Sequence, residues 1–188
     1  MKKISVREIS QEDLDPIISY WLDSDHSHLI GMGVDLNKMP DRTQWRHMLS
    51  EQLSASYENK NSYCIIWLID NVAMGHCNVN KIIFGKEAYM HLHIWNASSR
   101  NIGLGMEFIK MTLPYFFENL KLKKIFCEPY ALNPSPNNLL RKFGFQFVRK
   151  QTTIPGYINF EQEVNLWEMT KENFEILLAK SPKETIHR

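Results

Sequence analysis

The eight residues "SSRNIGLG" (98–105) follow an alternating stretch, "EAYMHLHIW" (87–95), and precede a run with helical spacing. A strand thus feeds a helix through a turn that carries Arg100, Gly103 and Gly105. Glycine weakens a regular element, so it belongs where the backbone bends sharply or another group comes close. The first turn of a helix offers unpaired N–H groups at the positive end of the macrodipole. Two glycines there remove side chains that would keep a phosphate from those groups. Arg100 adds a fixed positive charge with a forked donor. The stretch is suited to hold a diphosphate. It is not a P-loop, because no Gly-Lys-Ser/Thr ending follows, and its glycine order is the reverse of G-x-G-x-x-G.

On the N-terminal side of this turn, Ala88, Met90, Leu92 and Ile94 of the alternating strand share one face. Tyr89, His91, His93 and Trp95 share the other, an unusual concentration of imidazole and aromatic groups. On the C-terminal side, Ile102, Met106, Ile109, Leu113, Phe116, Phe117 and Leu120 recur at helical spacing and predict a helix from about Leu104 to Leu120. Pro114 lies inside it and is expected to kink it. "KKIFCEPYA" then reads as a strand, "PSPNNLLRKFG" as a short helix closed by Gly144, and "FQFVRKQ" as a strand. The loop "TTIPGYINFEQE" leads to a last strand, "VNLWEM", and "TKENFEILLAK" ends as a helix capped by Thr170 with Glu172 in its first turn.

Further upstream, "SYCIIWLID" (62–70) is nearly all apolar and reads as a central strand, paired through a short Asp-Asn turn with "VAMGHCNVNKIIF". "ISVREIS" (4–10) alternates as a first strand, and "SQEDLDPIISYWL" reads as a helix with Ser10 as its N-cap. "HLIGMGVDLNKMP" has the composition of a loop, whereas "DRTQWRHMLSEQLSAS" predicts a helix with Trp45, Met48, Leu49 and Leu53 on one side. An antiparallel run followed by strand–helix–strand–helix–strand implies an α/β (α+β) chain with a mixed sheet and helices on both faces. The length of 188 residues suits a single domain, 1–188.

Composition narrows the function classes. The chain is 44% apolar and 23% charged, with a formal net charge of +1. With no block of five like charges, it lacks the basic face expected of a nucleic-acid partner. Cys64, Cys77 and Cys127 fit neither a disulfide framework nor the paired spacing of a zinc site, so no metal is expected and the thiols read as buried and free. The N-terminal "MKKISVREISQEDL" lacks the apolar segment of a signal peptide. No apolar run approaches the ~20 residues needed to span a bilayer. A cytoplasmic protein without a membrane partner is expected.

Arg100–Gly105 also matches in full the Q/R-x-x-G-x-G/A pattern of the GNAT superfamily of acetyl-CoA-dependent N-acetyltransferases. Downstream, "NPSPNNLLRKFGF" supplies the asparagine, short helix and Gly-Phe of that family as Asn133 and Gly144-Phe145. The element order resembles the family over almost the whole chain. Many members carry a tyrosine seven residues after the asparagine, proposed to protonate the departing thiolate; here Leu140 stands there. In this the chain resembles the branch of ribosomal-protein N-terminal alanine acetyltransferases. That branch usually has a serine where this chain has Pro136, with Ser135 beside it.

The resemblance implies a mostly antiparallel sheet of about seven strands whose central pair splays apart. The pantetheine arm of acetyl-CoA would fill the gap like a short extra strand. Ile94, Trp95 and Asn96 would offer backbone groups, one N–H polarising the thioester carbonyl. Arg100, Asn101, Ile102, Gly103, Leu104 and Gly105 would hold the diphosphate, and Asn133 and Asn138 would reach the pantetheine and the sulfur. The reaction implied is direct attack by a primary amine, from a protein N-terminus or a small molecule, in a ternary complex. Glu128, five residues before Asn133, matches a catalytic glutamate of several ribosomal-protein acetyltransferases. Glu128 and His93, then His91, are the candidate groups to take the amine's proton. Asp25, His26, Asp35, Tyr157 and Glu161 lie on segments that line the acceptor side in the family, and could orient a cationic amine. The missing tyrosine leaves open an inactive acyl-CoA-binding module, and a homodimer is left open as well.

Overall fold

The computed structural model describes residues 3–96 and 103–180. Arg100, Asn101 and Ile102 of the expected diphosphate turn lie outside the described residues.

Among the described residues, seven strands form one sheet. They are β1 (Ile4–Glu8), β2 (Ser62–Ile69), β3 (Val72–Ile83), β4 (Glu87–Ile94), β5 (Lys124–Cys127), β6 (Gln146–Thr153) and β7 (Gln162–Thr170), in the order β1-β2-β3-β4-β5-β7-β6. Every pairing is antiparallel except β4 with β5. The β2–β3 hairpin turns on Asp70 (φ 50°) and Asn71 (φ 66°), the left-handed pair that a two-residue turn matching strand twist demands. Among the described residues the α-helices are α1 (Leu14–Leu22), α2 (His26–Gly31), α3 (Arg42–Ser54), α4 (Gly105–Asn119), α5 (Pro134–Phe143) and α6 (Lys171–Lys180).

Strand β2 explains the layering. Its residues Tyr63, Ile65 and Trp67 point into a core shared with Phe108, Ile109, Leu113, Phe116 and Phe117 of α4 and with parts of α5 and α6. Cys64, Ile66 and Leu68 point the other way, into a second core with Ile17, Ile18 and Trp21 of α1, Leu29 of α2 and Trp45 of α3. A strand buried on both faces reads as a continuous apolar run, because neither face meets water. Each large side chain so buried contributes about 1.5–3 kcal/mol relative to exposure.

Local sequence sets most element ends. Asn133 caps α5, Gly144 (φ 112°) closes it, and the Thr170 hydroxyl accepts the Asn173 N–H at the start of α6. Asp41 and Gln44 form a reciprocal box at α3. The expected first helix is split into a 3-10 turn, Gln11–Asp13, and α1. Pro114 sits inside α4 without ending it. The one clear departure is "HLIGMGVDLNKMP". Rather than plain loop, it contains part of α2 and a 3-10 turn, Leu36–Lys38, because the Asp25 and Asp35 carboxylates accept the His28 and Asn37 backbone N–H groups.

That segment is clasped to the β6–β7 loop. Val34 bridges Asn159, and the Gly33 carbonyl accepts N–H groups from the Phe160 backbone (3.3 Å), Asn159 (2.9 Å) and Gln162 (3.1 Å). Gly33 holds φ at 85°, and a Cβ there would lie 2.0 Å from the Gln162 amide. Both backbone strain and overlap oppose a side chain. Gly33→Ala is expected to destabilise the protein by ~1–3 kcal/mol, read as a lowered midpoint in urea unfolding.

Candidate active site

The sheet opens beside β5. Strands β4 and β5 pair at Glu87–Lys124, Ala88–Ile125 and Tyr89–Phe126 and no further, although β4 continues to Ile94. Past Phe126 the chain stays with β7: Asn165 N–H donates to the Pro129 carbonyl (3.2 Å), and Ala131 N–H donates to Glu163 (2.8 Å). Pro129 has no N–H to offer a ladder. The Met90 carbonyl on β4 accepts from the Cys127 thiol (2.9 Å). A narrow cleft of about 110 Å³ fills the opening, lined by Leu92, Glu128, Tyr130, Asn133 and Pro136 among others.

A second cavity of about 470 Å³ lies on the other side of β4, between the sheet, α1, α3 and the β6–β7 loop. His91 and His93 line both spaces. They face the α1/α3 side because strand residues alternate; Met90 and Ala88 are in the opposite core. The floor of the cavity continues onto β3, where His76 pairs with His93 and Asn78 with His91. Its walls are Trp21 and Trp45, stacked at 5.7 Å and 8°, with Met48 and Tyr157.

Each imidazole is tied down. The Asn80 side-chain amide lies within hydrogen-bond distance of His91 Nε2 (3.1 Å). Tyr20 Oη lies 3.3 Å from His93 Nδ1. Trp95 Nε1 donates to His76 Nδ1 at 2.7 Å, and His76 stacks on His93 at 4.6 Å. Burial pushes all three pKa values down, His91 to about 4 with Lys81 adding to the effect, and His76 to about 3. His93 falls well below its ordinary value, with the neighbouring imidazoles reinforcing burial. All three are neutral near pH 7.

Glu128 is buried on the cleft wall, where its Oε1 accepts from Gln151 (2.7 Å) and its Oε2 lies 3.7 Å from Lys81 Nζ. Lys81 has φ 47° beside an irregularity in the β3–β4 register, a setting that re-aims a side chain. Glu128 reaches the cleft and not the larger cavity. Among the acceptor-side candidates, only Tyr157 lines that cavity. Asp25 and Asp35 are used as helix caps, and His26 and Glu161 are exposed.

At the glycine turn, Gly103 holds φ at 84°, and a Cβ added there would meet nothing within 4 Å. Leu104 is the N-cap of α4, and Gly105 opens that helix with the Leu139 side chain 3.0 Å from where its Cβ would be. Asn133 spends its side-chain oxygen on the Ser135 N–H. Asn138 is exposed, its oxygen accepting from Arg141 (2.9 Å). Its neighbour Asn137 is the amide that ties α5 to the sheet. It donates to the Tyr130 and Asn133 carbonyls and accepts from Trp167 and Asn165. Leu140 is fully buried in the α4 core. His76, Asn78, Asn80 and Trp21 escaped the sequence reading. The alternation "HCNVN" (76–80) carried the signal for the first three.

The imidazoles make a pH prediction. In each, the folded pKa lies below the unfolded value of 6.5, so the unfolded chain takes up the proton first. Their contribution to stability is complete above pH 6.5 and is lost as pH falls toward about 4 for His91 and about 3 for His76. Each adds about 1.4 kcal/mol per pH unit to the slope below pH 6.5. Urea unfolding at a series of pH values is expected to show that slope reduced by the same amount in His91→Asn.

The comparisons agree with this architecture. Residues 3–146 match the family model for an acetyltransferase (GNAT) domain. No curated protein matches the sequence itself. Among solved structures, spermidine N-acetyltransferase from Vibrio cholerae in complex with CoA and spermine superposes with TM-score 0.74 at 15% identity, covering 92% of this chain and 98% of that one. RimL, a ribosomal L7/L12 alpha-N-protein acetyltransferase in complex with CoA, gives TM-score 0.72 at 12% identity, with 90% and 95% covered. The aminoglycoside acetyltransferase AAC(6')-Ib in complex with CoA gives 0.69 at 15%, with 93% and 98% covered. At such identities these likenesses establish a shared fold. The family match over 3–146, together with the parted strands, shows that the chain belongs to the GNAT acetyltransferase family.

Proposed function

We propose that the protein moves an acetyl group from acetyl-CoA to a primary amine by direct attack in a ternary complex. One observation carries the reading: His91 and His93 lie just past the last β4–β5 pair and belong to both the strand opening and the larger cavity. A group that accepts the amine's proton must stand where acyl donor and acceptor meet.

The residues present fit acetyl-CoA. Strands β4 and β5 stop pairing with each other after Tyr89–Phe126, and an opening of that kind suits an amide-bearing arm. Gly103 leaves open space ahead of the first turn of α4, where backbone N–H groups favour an anion. Ile94, Trp95 and Asn96 would border the arm, although the Trp95 N–H already donates to the Met74 carbonyl (3.0 Å). Gly103, Leu104 and Gly105 with Arg100, Asn101 and Ile102 would hold the diphosphate, and Asn133 and Asn138 would flank the far side. When bound, acetyl-CoA supplies an activated acyl carbon.

The chain's own part is orientation and proton transfer. As the amine nitrogen bonds to the acyl carbon, its proton passes to His93 or His91, directly or through water. Imidazoles with such low pKa values relay a proton rather than hold it, so the acceptor has to arrive neutral. Glu128, already engaged by Gln151 and Lys81, supports the cleft side electrostatically. With Leu140 buried in the core, no hydroxyl at that position serves the leaving thiolate, which takes its proton from solvent. Three buried thiols support the reducing setting of the cytoplasm.

Thiol release from acetyl-CoA across a panel of amines tests the reading. His93→Asn and His91→Asn are expected to lower kcat by ~10²-fold or more with KM for acetyl-CoA little changed. Glu128→Gln is expected to cost less. Tight acetyl-CoA binding with no turnover on any amine would favour the inactive module instead.

Coenzyme placement has its own check. Gly103→Glu and Gly103→Ala share the strain of a side chain at positive φ, but only the first adds negative charge. Ligand at ~100 times its Kd stabilises a protein by about 2.7 kcal/mol. Gly103→Ala is expected to keep most of that thermal shift with CoA, and Gly103→Glu to lose it.

A further inference from the structure

Resting on the acetyltransferase reading, we infer that the acceptor is an α-amine on an otherwise uncharged aromatic body, its carboxyl masked as an amide.

The 470 Å³ cavity is built almost wholly from uncharged groups. Among its described lining residues, the only side chain with a formal charge is Glu51, 60% exposed at the rim and 3.5 Å from His47. No lysine or arginine is among them. A second ammonium group, as in a polyamine or an aminoglycoside, would be desolvated without a carboxylate to pair with. A free carboxylate would fare no better. Unpaired buried charge is strongly disfavoured. The histidines cannot supply the missing cation, because burial keeps them neutral.

What the cavity does offer is flat apolar surface and neutral hydrogen bonds. The stacked Trp21–Trp45 pair and Tyr157, 6.3 Å from Trp45, form an aromatic wall. On the floor, Asn78 stands opposite His91 and Asn80 hydrogen-bonds it, placing amide donors beside the imidazoles. An amide carbonyl on the acceptor suits such donors.

Basicity points the same way. An α-amine with pKa near 7.7–8.0 is appreciably neutral at pH 7, whereas an alkylamine near 10.4 is almost wholly protonated. A pocket with no buried carboxylate and only weakly basic imidazoles favours the amine that arrives already neutral.

The shared chemistry occurs in a free amino-acid amide and in the first residue of a peptide. The experiment measures kcat/KM by thiol release for phenylalaninamide, the tripeptide amide Phe-Gly-Gly-NH₂, phenylalanine, spermidine and kanamycin. The two amides are expected to exceed the other three by ~100-fold or more, and the faster of the two names the source. Asn78→Asp, which sets a carboxylate in the floor at nearly constant volume, is expected to raise the spermidine-to-phenylalaninamide ratio at least tenfold. A ratio is insensitive to loss of folded protein. Preference for spermidine, kanamycin or free phenylalanine in the wild type would overturn this inference while leaving acetyl transfer standing. An unchanged ratio in Asn78→Asp would also overturn it. Absence of thiol release with every amine would overturn both.

Discussion

Everything about this site depends on a ladder that stops. Strand β4 runs five residues past its last pairing with β5, and the chain beyond Phe126 follows β7 instead. Buried backbone groups are rarely left without partners. Where a sheet's middle parts, something must satisfy the exposed edges, and a molecule with its own amides is the natural complement. Pro129 contributes the local reason, since it has no N–H with which to continue a ladder. Cys127 marks the same edge, its thiol donating to the Met90 carbonyl.

The two histidines gain meaning from that opening. On a fully paired strand, His91 and His93 would be packing residues with satisfied rings. Here the same side chains stand at the boundary between the cleft and a cavity walled by tryptophans. Burial keeps them neutral, which costs stability in acid but suits the proton-accepting role proposed for them. Cost and chemistry arise from one cause, the withdrawal of water from the ring.

The cavity itself is assembled from segments far apart in sequence. The Gly33 carbonyl gathers three N–H donors from residues 159–162, and this clasp sets the β6–β7 loop over the sheet so that Tyr157 approaches Trp45. A 3-10 turn and a short helix keep the segment around Gly33 in shape, each started by an aspartate bonding its own backbone. Asn137 plays the matching part at the other end, its amide linking α5 to Tyr130 and β7.

Sequence alone determined most of the elements and the family, though not the helical turns of residues 28–38. Alternation placed His91 and His93 on one face, caps and glycines marked the helix ends, and Arg100–Gly105 with Asn133 and Gly144-Phe145 carried the resemblance. Local rules suffice for such features because they act over a few residues. They did not distinguish Asn137 from Asn138, find His76 and Asn78, or separate Tyr157 from Asp25 and Asp35 as a wall of the cavity. Those outcomes rest on which β3 residue sits opposite which β4 residue and on the clasp at Gly33. Register and loop docking are fixed by contacts between distant segments, and only the folded chain brings those segments together.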